Sequence, residues 1–107
     1  MKAIYIRVST KEQNTERQEV EGVKMYIDKI SGTIPFTERP QAKKLIKEIE
    51  KGKINYVEIS SIDRLGRNLL DILNTIEFLK KYNCQLKIKN LAIEMLDENN
   101  KAKIEKL

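Results

Sequence analysis

What most limits the folds open to this chain is an alternation of pattern along it. Four runs rich in β-branched and aromatic residues have strand character: KAIYIRV (2–8), VKMYID (23–28), INYVEI (54–59) and CQLKIK (84–89). Between the second and third, apolar residues recur at helical spacing: Ala42, Leu45, Ile46 and Ile49. Pro40 suits the first turn of that helix and Gly52 its end. Between the third and fourth runs, Leu69, Leu70, Ile72, Leu73, Ile76 and Leu79 predict a strongly apolar helix over 68–82. Strands that alternate with helices predict an α/β domain whose central sheet of about four strands is mostly parallel and flanked by helices. The third run has few polar residues and reads as a strand buried on both faces.

The remaining segments are less regular. Residues 9–19, STKEQNTERQE, are polar. Ser9 and Glu12 have the spacing of a capping box, but no apolar stripe follows them. Residues 29–39, KISGTIPFTER, carry Gly32 and Pro35 and read as a mobile loop. The tail from 90 to 107 has few apolar residues beyond Ile104 and Leu107 and could start a helix. A length of 107 residues is enough for one domain with a single core, and no repeat or linker divides it.

Composition narrows the function classes. The chain has no histidine, which excludes a histidine base. With a single cysteine, Cys84, it also lacks the usual ligands of a structural zinc site. One cysteine cannot form an intramolecular disulfide, which fits a reducing, cytoplasmic setting. MKAIYIRVS is too short and polar for a signal peptide, and no apolar run reaches membrane-spanning length. The net charge of +5 favours an anionic partner such as nucleic acid. Part of it is lysine that reads as solvated helix face, including Lys43, Lys44, Lys47 and Lys51.

In a parallel α/β sheet the ligand site lies beyond the carboxyl ends of the strands. Arg7 and Ser9 follow the first strand, Asp28 ends the second, and Asp63, Arg64 and Arg67 follow the third. Taken singly, each has an ordinary structural reading. Ser9 is a helix cap, Arg7 a half-exposed strand residue and Asp28 a turn residue. Arg39 is a loop charge, and Asp63 with its two arginines is an ion pair at a helix start. Their shared placement argues otherwise. Clustered guanidinium groups repel one another unless an anion binds among them, and a phosphate does so with bidentate, charge-assisted hydrogen bonds. Cations at a helix start oppose the helix dipole, and a bound phosphate would reverse that penalty. Arg67, three residues after Arg64, is expected on the same side of a helix, with Gly66 allowing a close turn. The residues alone support an anion site suited to phosphoryl transfer.

At these positions the sequence resembles the catalytic domain of serine recombinases, the resolvase and invertase family. The matching pieces, in the family's order, are YIRVST (5–10), Gln13, DKISG (28–32), ERP (38–40) and IDRLGRN (62–68). The resemblance implies site-specific DNA strand exchange, with Ser9 attacking a backbone phosphate to form a 5′-phosphoserine link. It implies no metal or nucleotide cofactor. Arg7, Arg64 and Arg67 would bind the scissile phosphate, and Arg39 would join them from the loop. Asp63 would handle the leaving-group proton, and Gln13 and Asp28 would support the site. Duplex DNA and further copies of the chain, as dimers and tetramers, are the implied partners.

Two departures from the family pattern stand out. Only TERQEVEG (15–22) separates Gln13 from the second strand, so the first helix is short by roughly two turns. That shortening is expected to leave apolar sheet surface exposed or covered by a partner. No helix-turn-helix DNA-binding domain can be read within residues 1–107. Two other readings follow: an inactive recombinase-fold module that works through dimerisation contacts, and a small phosphate-ester hydrolase.

Overall fold

The computed structural model describes residues 1–9 and 22–89, and the backbone of residues 93–94. Strands β1 (Lys2–Val8), β2 (Val23–Lys29), β3 (Tyr56–Ile59), β4 (Gln85–Ile88) and β5 (Ile93–Glu94) form one sheet in the order β2-β1-β3-β4-β5. The first four are parallel, and β5 runs antiparallel to β4. Helix α1 (Pro40–Glu50) joins β2 to β3, and α2 (Leu69–Lys81) joins β3 to β4. The expected α/β class and mostly parallel sheet are therefore present. β5 lies in what reads as a tail, because two residues are too few to carry a strand pattern.

The side-chain alternation of the strands divides the sheet into unlike faces. On one, Ala3, Tyr5, Val57, Ile59, Leu86 and Ile88 pack with Ala42, Leu45 and Ile49 of α1 and with Ile76 and Leu79 of α2 in one core. Both helical crossovers step across the sheet in the same direction, from β2 past β1 to β3 and from β3 to β4. Right-handed connections then put both helices on one side. The other face carries Ile4, Ile6, Met25 and Ile27, paired Ile4 with Met25 and Ile6 with Ile27, and all only half-buried. The 10–21 connection, on which the expectation of a shortened first helix rests, lies outside the described residues, as does the Ser9–Glu12 capping box beyond Ser9 itself.

Two sequence expectations need correction. β3 is buried on one face only: Val57 and Ile59 are inside, while Tyr56 and Glu58 are half-buried, and Glu58 pairs with Lys2 at 3.3 Å. The side chains on that side are only half-buried, so an alternating pattern suffices. Helix α2 buries only Thr75, Ile76 and Leu79. Leu69, Leu70 and Leu73 are 71, 67 and 49% exposed, because the first turns of α2 project beyond the core.

Helix ends follow their chemistry. Pro40 occupies the first position of α1, where its missing N–H costs nothing. The free N–H groups of Gln41 and Ala42 donate to Asp28 at 2.9 and 3.0 Å. Gly52, at φ +75°, reverses the chain after α1 as expected. Asn68 caps α2 by accepting from Asp71 N at 2.9 Å, a cap hidden inside the arginine-bearing motif.

Candidate active site

The chain passes from β1 outward to β2 on one side and returns to β3 on the other. The crevice between the carboxyl ends of β1 and β3 is thus the topological switch point where such sheets bind ligands. Ser9 follows β1 directly and is half-buried. Ser60, Ser61 and the 3-10 turn Ile62–Leu65 follow β3. Asp63 and Arg64 lie on that turn.

Arg7 is held in place by its neighbours. Its Nη1 donates to the Ile30 carbonyl at 3.0 Å. Gly32 packs against its guanidinium, and a Cβ there would lie 3.3 Å from Arg7 Cζ. The pKa of Arg7 is lowered, first by burial and then by the positive charges of Arg64 and Arg39, with Asp63 opposing. These four side chains therefore share one electrostatic neighbourhood. It holds three cations against one exposed carboxylate, and an arriving anion would relieve the repulsion.

Asp63 accepts a hydrogen bond from the Ser61 hydroxyl. That bond is the main reason its pKa lies below the ordinary aspartate value; the Arg64 and Arg7 charges add to it, against some desolvation. Asp63 is therefore an ionised carboxylate at neutral pH, ready to accept a proton or orient a cation.

Arg39 departs from the expectation of a loop-borne phosphate ligand. It is fully buried. Its Nε donates to the Ile34 carbonyl at 2.9 Å, and its Nη1 donates to the Arg64 carbonyl at 2.6 Å and to the Tyr5 hydroxyl at 3.4 Å. Phe36, itself buried, sits edge-on to Tyr5 with ring centroids 5.0 Å apart, and beneath Arg39 at 5.7 Å. The reason is local. Phe36 turns the loop inward through the 3-10 turn Phe36–Glu38, and Arg39 follows it into the core. Sequence reading had no signal for this, since an arginine before proline normally marks a surface loop.

Asp28 is also buried. Besides the two α1 N–H groups it accepts the Tyr5 hydroxyl at 3.0 Å. Burial pushes the Tyr5 phenol well above its ordinary range, although the Arg39 hydrogen bond opposes the shift. Tyr5, Asp28 and Arg39 thus tie β1, β2, the start of α1 and the Arg64 backbone together. Tyr5 was not singled out from the sequence, although it stands inside the YIRVST motif.

Arg67 is exposed and precedes α2 rather than lying within it. Gly66 is extended and separates the 3-10 turn from α2, so Arg64 and Arg67 do not share a helix face. Gly66 is required for space. A Cβ would meet Ile72 N at 2.7 Å and the Asp71 carboxylate at 2.8 Å. Gln13 lies outside the described residues.

The chain has relatives among known proteins. The family model of the resolvase N-terminal domain matches residues 2–107, and the chain belongs to that family. It is 39% identical over 84 residues to the transposon Tn2501 resolvase of Escherichia coli, a match covering 70% of this chain and 42% of that protein. It is 45% identical over 78 residues to the transposon Tn21 resolvase of the same species, covering 70% and 39%. To the serine recombinase gin of Escherichia phage Mu it is 34% identical over 82 residues, covering 72% and 40%. These matches span about two-fifths of each relative's length. Among solved structures, the N-terminal catalytic domain of TP901-1 integrase superposes with a TM-score of 0.74 at 26% identity, covering 92% of this chain and 85% of that one.

Proposed function

We propose that this chain is the catalytic domain of a site-specific DNA recombinase and that Ser9 is its nucleophile. The observation that carries the reading is the cation-rich crevice at the ends of β1 and β3: Arg7 and Arg64 repel each other there, and Ser9 directly follows β1. A DNA phosphodiester supplies the missing anion. The Ser9 hydroxyl gives up its proton as its oxygen attacks phosphorus, the 3′ oxygen of the neighbouring nucleotide takes up a proton and leaves as a hydroxyl, and a 5′-phosphoserine link conserves the bond energy for rejoining. Arg7, Arg64 and Arg67 stabilise the charge on the non-bridging oxygens, which needs no metal. Asp63, ionised at neutral pH, fits proton acceptance or arginine orientation better than proton donation. Arg39 acts through Arg64 rather than on the phosphate, and Asp28 acts by fixing the start of α1. Gln13 keeps its supporting role by family likeness alone.

Duplex DNA is the proposed substrate, with further copies of the chain as partners. The test is covalent capture on a nicked duplex: a protein–DNA adduct forms with the native chain and is lost with Ser9→Ala. A second reading, a non-cutting module that works through protein contacts, is favoured by the exposed leucines of α2. An adduct from the native chain would eliminate it.

A further inference from the structure

The segment 29–39 reads from sequence as a mobile loop, yet its residues from Ile30 to Arg39 are bonded to each of the three arginine-bearing segments. Its first carbonyl, Ile30, accepts from the Arg7 guanidinium at 3.0 Å. Its last side chain, Arg39, donates to the Arg64 carbonyl at 2.6 Å. The third link runs through a residue that no motif singles out. Asp71 Oδ2, in the first turn of α2, accepts from the Phe36 N–H at 3.1 Å and from the Arg67 N–H at 2.8 Å. One oxygen therefore joins the middle of the loop to the backbone of Arg67.

The surroundings are built for that shared acceptor. Gly66 packs so closely on the first turn of α2 that any Cβ would strike the Asp71 carboxylate and the Ile72 amide. The close approach brings the Arg67 N–H within reach. Asn68 holds the Asp71 amide at 2.9 Å, which fixes where the carboxylate emerges. A carboxylate in a helix's first turn is also favoured by the helix dipole. The usual reading of an aspartate there is helix capping alone. Capping explains neither the bond to Phe36, 35 residues away, nor the glycine pressed against it.

We infer that the 30–39 loop is the template that sets the spacing of Arg7, Arg64 and Arg67, and that Asp71 is the positioning residue joining Arg67 to it. The inference rests on the reading that these arginines take up a DNA phosphate. It adds that the spacing of the phosphate-binding groups is set by a loop bonded to all three of their segments.

The test uses the 107-residue chain, isotopically labelled, as native protein, Asp71→Asn and Asp71→Ala. Amide exchange is measured without DNA, and the Arg67 side-chain resonance and affinity are followed on adding a short duplex. Asparagine keeps an acceptor oxygen but loses the charge. In Asp71→Asn, exchange at Phe36 and Arg67 should rise together, by about fivefold for one weakened charge-assisted bond. Core amides such as Ile59 should keep their rates. In Asp71→Ala both sites should lose protection and duplex affinity should fall about fivefold. Asp71→Asn should recover most of that affinity and the Arg67 response. Unchanged or unlinked exchange at the two sites in Asp71→Asn would overturn the shared acceptor. Native affinity and a native Arg67 response in Asp71→Ala would overturn the positioning role. If Asp71→Ala does not fold, Asp71→Ser, whose side chain is one bond shorter, takes its place in the affinity and Arg67 measurements, with the same outcomes deciding the positioning role. Failure of the native chain to bind the duplex would overturn the recombinase reading, and the exchange rates would still decide whether Asp71 bridges loop and helix.

Discussion

At the scale of single residues, burial and charge separate the roles of groups that look alike in sequence. Arg7 and Arg39 are both arginines of recognisable motifs, but Arg39 spends its donors on backbone carbonyls inside the core. Arg39→Ala should therefore lower stability as well as activity, leaving the Arg64 and Ile34 carbonyls short of a donor at ~1–3 kcal/mol each. Chemical denaturation would show this loss, and Arg67→Ala, on the surface, should stay within ~0.5 kcal/mol of native. Asp63 is held below the usual aspartate range chiefly by the Ser61 hydroxyl. A depressed folded pKa contributes stability that is present above the unfolded value and lost as pH falls through the folded one. Ser61→Ala should raise the Asp63 midpoint, as read by its carboxyl resonance, and narrow the acidic range over which the native state holds. Cys84 is fully buried, and desolvation pushes its thiol up to about 12. It should resist alkylation in the native state and react only on unfolding.

At the scale of elements, the arginine junction is three pieces rather than one helix: a 3-10 turn, an extended Gly66–Arg67 link and a capped α2. Asn68→Ala should cost ~1 kcal/mol as the loss of an N-cap, measured by thermal unfolding. Gly66→Ala should cost more, because its Cβ would meet backbone atoms that cannot move aside. Sequence reading found α1 to within its Pro40 start and Gly52 stop, since proline, glycine and the apolar stripe agree. It set α2 one residue long at each end and took it as strongly apolar. Hydrophobic spacing reports which residues are apolar, not whether a core exists to receive each of them. The junction itself misled for a related reason: a three-residue spacing implies a shared face only inside a continuous helix.

At the scale of the whole molecule, the order of strands places Ser9 and the Asp63–Arg64 turn on opposite sides of one crevice. Alternating strand and helix patterns made that placement legible in the sequence, and so did the positions of Arg7, Ser9 and Asp63. What was not legible is the Tyr5–Asp28–Arg39 network and the Asp71 bridge, because both join residues far apart in sequence through hydrogen bonds that leave no periodic trace. The exposed leucines of α2 are also a whole-molecule feature. Replacing Leu69 and Leu70 with lysine should leave stability within ~0.5 kcal/mol. Sedimentation should show weaker self-association if those side chains meet another copy.

The most direct test of the central claim is the fate of Ser9. The chain, given a nicked duplex without divalent metal, should form an adduct. Mass spectrometry should place the 5′ phosphate on Ser9, and Ser9→Ala should form none. An adduct that survives Ser9→Ala, maps to another residue or requires a divalent metal would contradict the account.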